Sequence, residues 1–310
     1  MAPTFQTFLS RGVEQVRRHG VRLLWLRYVR RRAILFTAPT ECAPGAVLEV
    51  HTQVCGRDWL NALWTLKSFA HFVQQPMRVV LLAEASVPPA GVAALRKHFP
   101  GAEVRLCKTA PEETRATFAE QFPTLWALRN DRRFFTLPKV LDSFALRRNR
   151  VVLTIDPDVL FFARPDELLG DLDPERAYFA RLNVTATDSD LASTFCVDPT
   201  ALEAQFGLRL PRRFNTGLGS LNYARVDWPL LERIVKSVPL DPTRGFMADQ
   251  TLLGIMCAAH GFATLAVEQY AIKPVANLEG VVARHYYAKT RDLLYLEGIP
   301  ALIQTGLLRR

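Results

Sequence analysis

Two aspartates, Asp156 and Asp158, stand two residues apart at the end of the apolar run VVLTI, residues 151–155. In an extended chain that spacing turns both side chains to one face, and like charges held so close need a cation or a proton between them. Hard carboxylate oxygens suit Mg2+ or Mn2+, with the oxygens of a diphosphate filling the remaining coordination positions. The competing reading is a pair of solvated turn acids around Pro157. The element that carries the pair bears on the choice: in open α/β sheets ligands gather beyond the carboxyl ends of the strands, and 151–155 is the most strand-like segment of the chain.

The elements around it read as an α/β domain. Short apolar runs alternate with amphipathic stretches: strands at 47–54, 78–83 and 102–107, helices at 58–73 and 88–98. Such short strands, apolar on both faces, belong in a mostly parallel, Rossmann-like sheet flanked by helices. Residues 111–118 open a looser region, 137–146 form a helix, and 178–182 a strand. The segment 215–222 is rich in turn formers, 246–260 is helical, and 281–286 is strand-like.

Composition narrows the class. The 310 residues are 49% hydrophobic and 22% charged, which excludes disordered and fibrous chains. No apolar run is long enough for a transmembrane helix. Five cysteines without a C-x-x-C pair read as reduced thiols of a cytoplasmic protein. The net charge of +9 is carried almost wholly by residues 1–40, where eight arginines face one acid, Glu14. A near-neutral body argues against a nucleic-acid partner. The arginines interleave with Phe5, Phe8, Leu23, Leu24, Trp25, Leu26 and Tyr28. Such a basic amphipathic leader suits either the headgroup region of an anionic membrane or packing on the protein's own surface. The expected organisation is thus a leader, 1–40, and one catalytic domain, 41–310, peripheral at most to the inner face of the membrane.

The stretch RVVLTIDPDVLFFARPDEL, 150–168, resembles the D-x-D strand of GT-A-fold nucleotide-sugar glycosyltransferases. Three further blocks follow in the family's order: FNTGLGSLN (214–222), MADQTLL (247–253) and HYYAKTR (285–291), similar to segments of the glycogenin and lipo-oligosaccharide galactosyltransferase type. The resemblance implies a metal held by Asp156, Asp158 and His285, and Arg291 on the donor's phosphates where the family has Lys. It places Asn215 and Asp249 on sugar hydroxyls and Gln250 beneath the anomeric carbon. Gly217 and Gly219 would let the chain pass close to the sugar. Lys139 would face the donor from the preceding helix, and Thr52, beside His51, Gln53 and Cys55, would lie where the nucleoside is held. Ala288 departs from the family's Gly. Asn215-Thr216-Gly217 also makes a good turn, Asp249 a good first-turn acid, and Lys139 an ordinary exposed helix lysine.

The implied activity is transfer of a sugar from a nucleoside-diphosphate donor, a UDP-sugar, to a hydroxyl of a glycan or lipid-linked acceptor, with Mn2+ or Mg2+ and with retention. Two rivals stand beside it. One is a haloacid dehalogenase-like phosphatase with Asp156 as nucleophile, although that family's motif opens its domain and here several βα units come first. The other is a catalytically silent module docking on membranes through its leader.

Overall fold

Strands β1 (Leu48–Val54) and β2 (Met77–Ala83) are buried along almost their whole length, so both of their faces must be covered. Helix α1 (Trp59–Val73) joins them and α2 (Pro89–His98) leads on to β3 (Glu103–Leu106), giving two parallel crossovers. The structure, a computed structural model, describes residues 20–185, 187, 188, 190–287 and 290–309.

On the other side of β1, strand β4 (Val151–Ile155) pairs in parallel. It alternates between two cores, with Leu153 and Ile155 on one face and Val152 on the other, as a strand between two helical layers should. The first core holds Trp64, Phe69 and Leu153. The second holds Phe118, Leu141, Trp228 and Ile255.

Between residues 111 and 130, where a looser region is expected, lie helices α3 (Glu112–Phe118) and α4 (Pro123–Asn130). Two glutamates in the first turn of α3 and a proline opening α4 favour helix starts. Buried Phe118 and Leu125 fasten these helices to the second core. Helix α5 (Pro138–Leu146) then enters β4.

After β4 the chain enters a second, three-stranded sheet as β5 (Val159–Phe161). Strand β6 (Ala180–Leu182) returns to the main sheet, followed by β7 (Leu218–Asn222), helix α6 (Trp228–Ser237), helix α7 (Ala248–His260) and β8 (Phe262–Thr264). The turn-rich reading of 215–222 is corrected for its second half, which is a buried strand antiparallel to β4 and β6. Gly219 misleads because its lack of a side chain serves close strand approach: a Cβ there would lie 2.5 Å from the Arg181 carbonyl oxygen. Strands β9 (Tyr270–Ala271) and β10 (Ala283–His285) complete the small sheet, in the order β5-β10-β9. The main sheet runs β3-β2-β1-β4-β7-β6-β8, parallel except at β7.

Residues 1–19 of the expected leader lie outside the described residues. The rest of it shares the core of the body: Leu23, Leu26 and Ile34 are buried with Trp64, whose indole N–H donates to the Arg31 carbonyl at 2.8 Å. Among the described residues no helix is long and apolar enough to cross a membrane.

Candidate active site

The two aspartates sit where the main sheet hands over to the small one. β4 ends at Ile155, a tight turn closed by Val159 N–H on the Asp156 carbonyl follows, and β5 begins. β10 runs antiparallel to β5 with His285 opposite Val159, and the next residue, Tyr286, donates its N–H to the Asp158 carbonyl at 2.9 Å. Strand register therefore brings a residue far along the chain onto the acidic pair. His285 Nε2 lies 3.1 Å from Asp158 Oδ1 and 3.9 Å from Asp156 Oδ2, and one ligand atom from each of the three residues falls within 4.8 Å of the others.

The imidazole is held in one orientation. Asn215 Oδ1 accepts the Gly217 N–H at 2.9 Å, which fixes that oxygen as an acceptor, and it lies 3.0 Å from His285 Nδ1. Nδ1 accordingly carries a proton for that bond, and Nε2 is the nitrogen turned to the carboxylates. Gly217 supplies the seat: a Cβ there would be 2.1 Å from Cε1 of the ring. Asn215 and Gly217 thus act on the histidine, and Gly219 packs on β6. Two hard oxygens and an imidazole whose other nitrogen is pinned fit a divalent cation such as Mn2+ or Mg2+.

Two side-chain cations hold the acids as well. Lys139, in the first turn of α5, is buried rather than exposed on the helix surface. Its Nζ lies 2.6 Å from Asp156 Oδ1, 2.9 Å from the Thr216 carbonyl and 3.4 Å from Asp249 Oδ2. Arg291 places one guanidinium nitrogen 2.6 Å from Asp158 Oδ2 and 3.1 Å from Asp58 Oδ2. Burial raises the Asp156 carboxyl above the ordinary carboxylate range, against the pull of Lys139 and His285. Burial pushes Asp158 the same way, but His285 and Arg291 outweigh it and hold that carboxyl well below the range. Lys139 and Arg291 lose solvation too, and their aspartate partners more than offset this, so both cations are firmly protonated.

These groups line a cavity of about 840 Å3 at the carboxyl ends of β1, β2 and β4. Asp249, at the start of α7, donates its N–H to Thr136 Oγ1 at 3.2 Å, and Gln250 donates from Nε2 to the Thr194 carbonyl at 2.8 Å. Of the described residues expected at the site, Thr52, His51 and Gly219 are absent from the lining; Thr52 and His51 are buried inside the sheet, where His51 bonds Glu49. Their neighbours Gln53 and Cys55 do reach the cavity. Ala288 lies outside the described residues. Sequence reasoning missed Asp58 and Glu84. Asp58 precedes α1 and reads as a helix cap, yet its side chain makes no capping hydrogen bond; an acid in that place without a capping role is a signal only the structure gives.

No protein-family model and no curated protein matches the sequence. Solved structures similar to it include mouse xyloside xylosyltransferase 1 in its apo form, 13% identical, covering 81% of this chain and 99% of that one with a TM-score of 0.49. The galactosyltransferase LgtC in complex with donor and acceptor sugar analogues is 14% identical, covering 84% of this chain and 95% of that one, TM-score 0.46. Glucosyl-3-phosphoglycerate synthase from Mycobacterium tuberculosis, in complex with Mn2+, uridine diphosphate and phosphoglyceric acid, is 14% identical, covering 91% and 81%, TM-score 0.41. Likenesses of this size concern the path of the chain, not its chemistry.

Proposed function

We propose that this chain is a metal-dependent glycosyltransferase of GT-A type, moving a sugar from a nucleoside diphosphate, a UDP-sugar as its motif blocks imply, to a hydroxyl of a glycan or lipid-linked acceptor. The observation that carries the reading is the convergence of Asp156, Asp158 and His285 within 4.8 Å at the rim of a cavity large enough for a nucleotide sugar, with Arg291 beside them. Two carboxylates and a pinned imidazole would hold Mn2+ or Mg2+, which when bound supplies Lewis acidity at the leaving diphosphate. Arg291 would bind the diphosphate oxygens through its fork. Asp249, backed by Lys139 and Thr216, would orient a sugar hydroxyl, and Gln250 would lie beneath the ring.

Retention is the proposed course. Lys139 engages Asp156 and Asp249, and Arg291 engages Asp58 and Asp158, so none of these four carboxylates is left uncommitted as a general base for inversion. The anomeric configuration of the product, read by NMR, tests it. The phosphatase reading is the less supported: its acidic strand opens the domain, whereas β1 to β3 precede β4 here.

The leader carries the proposed membrane contact. Val21, Trp25, Val29 and Phe36 are exposed next to Arg30 and Arg32, and no acid lies between residues 20 and 40, a pattern suited to anionic lipid. Replacing Trp25 and Phe36 together by Ser should cut sedimentation with vesicles containing phosphatidylserine; unchanged sedimentation rejects the contact.

For the catalytic reading, isothermal titration with UDP should show binding that requires Mn2+ and is lost in Asp158→Ala. Equal UDP binding by parent and variant would overturn it.

A further inference from the structure

Arg291 serves two carboxylates with a single nitrogen. One is Asp158, a member of the acidic cluster; the other is Asp58, buried before α1. Asp58 is itself braced. Its Oδ1 accepts the Asn61 amide at 3.2 Å, and Asn61 Oδ1 accepts from Arg31 at 3.1 Å. A continuous row, Arg31, Asn61, Asp58, Arg291, Asp158, thus runs from the leader to the cation-binding group. Once a divalent cation occupies the oxygens of Asp158, the guanidinium loses that partner and keeps only Asp58.

We propose that Asp58 is the positioning residue for Arg291: it keeps the guanidinium at the cavity when a cation takes Asp158, and so directs it to the donor's diphosphate. The proposal rests on the reading of Arg291 as a diphosphate ligand. Its physics has a definite sign. A guanidinium and a divalent cation compete for the same carboxylate, and Asp58 weakens the hold of Arg291 on Asp158 by sharing its nitrogen.

Removing Arg291 frees Asp158, whereas removing the Asp58 charge leaves Arg291 wholly to Asp158. Binding of Mn2+ alone, followed by electron paramagnetic resonance, should therefore tighten in Arg291→Gln and weaken in Asp58→Asn, each roughly tenfold, the scale on which supporting groups move metal affinity. UDP binding at saturating Mn2+ should weaken in both variants. The double variant should match Arg291→Gln for Mn2+, because Asp58 acts through the arginine. Should Asp58→Asn fail to fold, Asp58→Ser replaces it, serine being a good residue before a helix.

A simple structural role for Asp58 would lower Mn2+ affinity whether or not Arg291 is present, and so would leave the double variant weaker than Arg291→Gln. Asp58→Asn titrating like the parent, or a double variant that binds Mn2+ more weakly than Arg291→Gln alone, overturns the proposal. A parent chain that binds Mn2+ but not UDP overturns the donor reading while the opposed Mn2+ shifts still decide the role of Asp58. A parent that binds no Mn2+ overturns both.

Discussion

The central strands carry a buried ionic cluster at each end, and the two differ in how their charges are met. At the amino ends, Arg78 of β2 bridges Glu49 of β1 and Glu103 of β3, the latter at 2.6 Å. Glu49 also accepts the backbone N–H groups of Arg148 at 3.0 Å and Asn149 at 2.8 Å, and a nitrogen of His51 at 2.8 Å. At the carboxyl ends two aspartates converge with an imidazole on an open cavity. The residue types are alike and the depth is similar. At the amino ends cations match the acids and the chain saturates itself; at the carboxyl ends four carboxylates, Asp58, Asp156, Asp158 and Asp249, share two cations, Lys139 and Arg291, which leaves room for a cation from outside. Buried charge alone therefore does not mark a functional site, whereas unbalanced buried charge facing a cavity does.

The sharpest way to break that contrast is to truncate one acid at each end. Glu49→Ala leaves Arg78 buried beside only Glu103 and should cost about 3–5 kcal/mol of stability, the range for breaking a buried pair. Denaturant unfolding reads this, and the Mn2+ affinity of the folded fraction should stay as it was. Asp158→Asn should act mainly on function: kcat falling about 100- to 1000-fold, as when one charge-stabilising contact is lost from an active site, with Mn2+ affinity lost and a smaller loss of stability because Arg291 keeps Asp58. If both variants lose stability alike and neither loses metal, the distinction between the two clusters is false. Gly217→Ala sharpens it further. The new methyl must displace the His285 ring, so Mn2+ affinity should fall about 10- to 100-fold, as for loss of a group that orients a ligand.

The sequence makes the sheet around these clusters largely legible, because β2 and β4 are short, mostly apolar and buried on both faces, and β1 carries Leu48, Val50 and Val54 on one of its faces. Asp156 and Asp158 stand out for the same reason, as charges ending an apolar run. The meeting with His285 depends on the register of β10 against β5, which local pattern does not encode. Gly219 reads as a turn residue because the demand for a missing Cβ comes from β6 across the sheet. Lys139 reads as a surface lysine since its partners Asp156 and Asp249 lie far along the chain. Asp58 is hidden for a related reason: an acid at a helix start has a sufficient local explanation, and Arg291, its partner, follows 233 residues later.

Acidification separates the two ends more gently. Burial pushes His51 below its ordinary value of 6.5 despite its bond to Glu49, so the unfolded chain takes up that proton first. Its contribution to stability is then lost as pH falls from 6.5 toward its lowered value in the fold. Glu49 is held below 4.5: burial works to raise it, but His51, the Asn149 N–H and Arg78 together prevail, so its contribution is present above 4.5 and fades as pH drops through its lower value in the fold. The slope for each group is at most about 1.4 kcal/mol per pH unit. His98 and His260 are also pushed down by burial, so only the difference between variant and parent isolates the amino-end cluster. His51→Gln, which keeps a donor for Glu49, should flatten the decline in unfolding free energy below pH 6.5, whereas Gln250→Ala at the carboxyl end should leave it parallel to the parent. If His51→Gln declines as steeply as the parent, the amino-end cluster does not hold its histidine neutral, and the account of it as self-saturated fails.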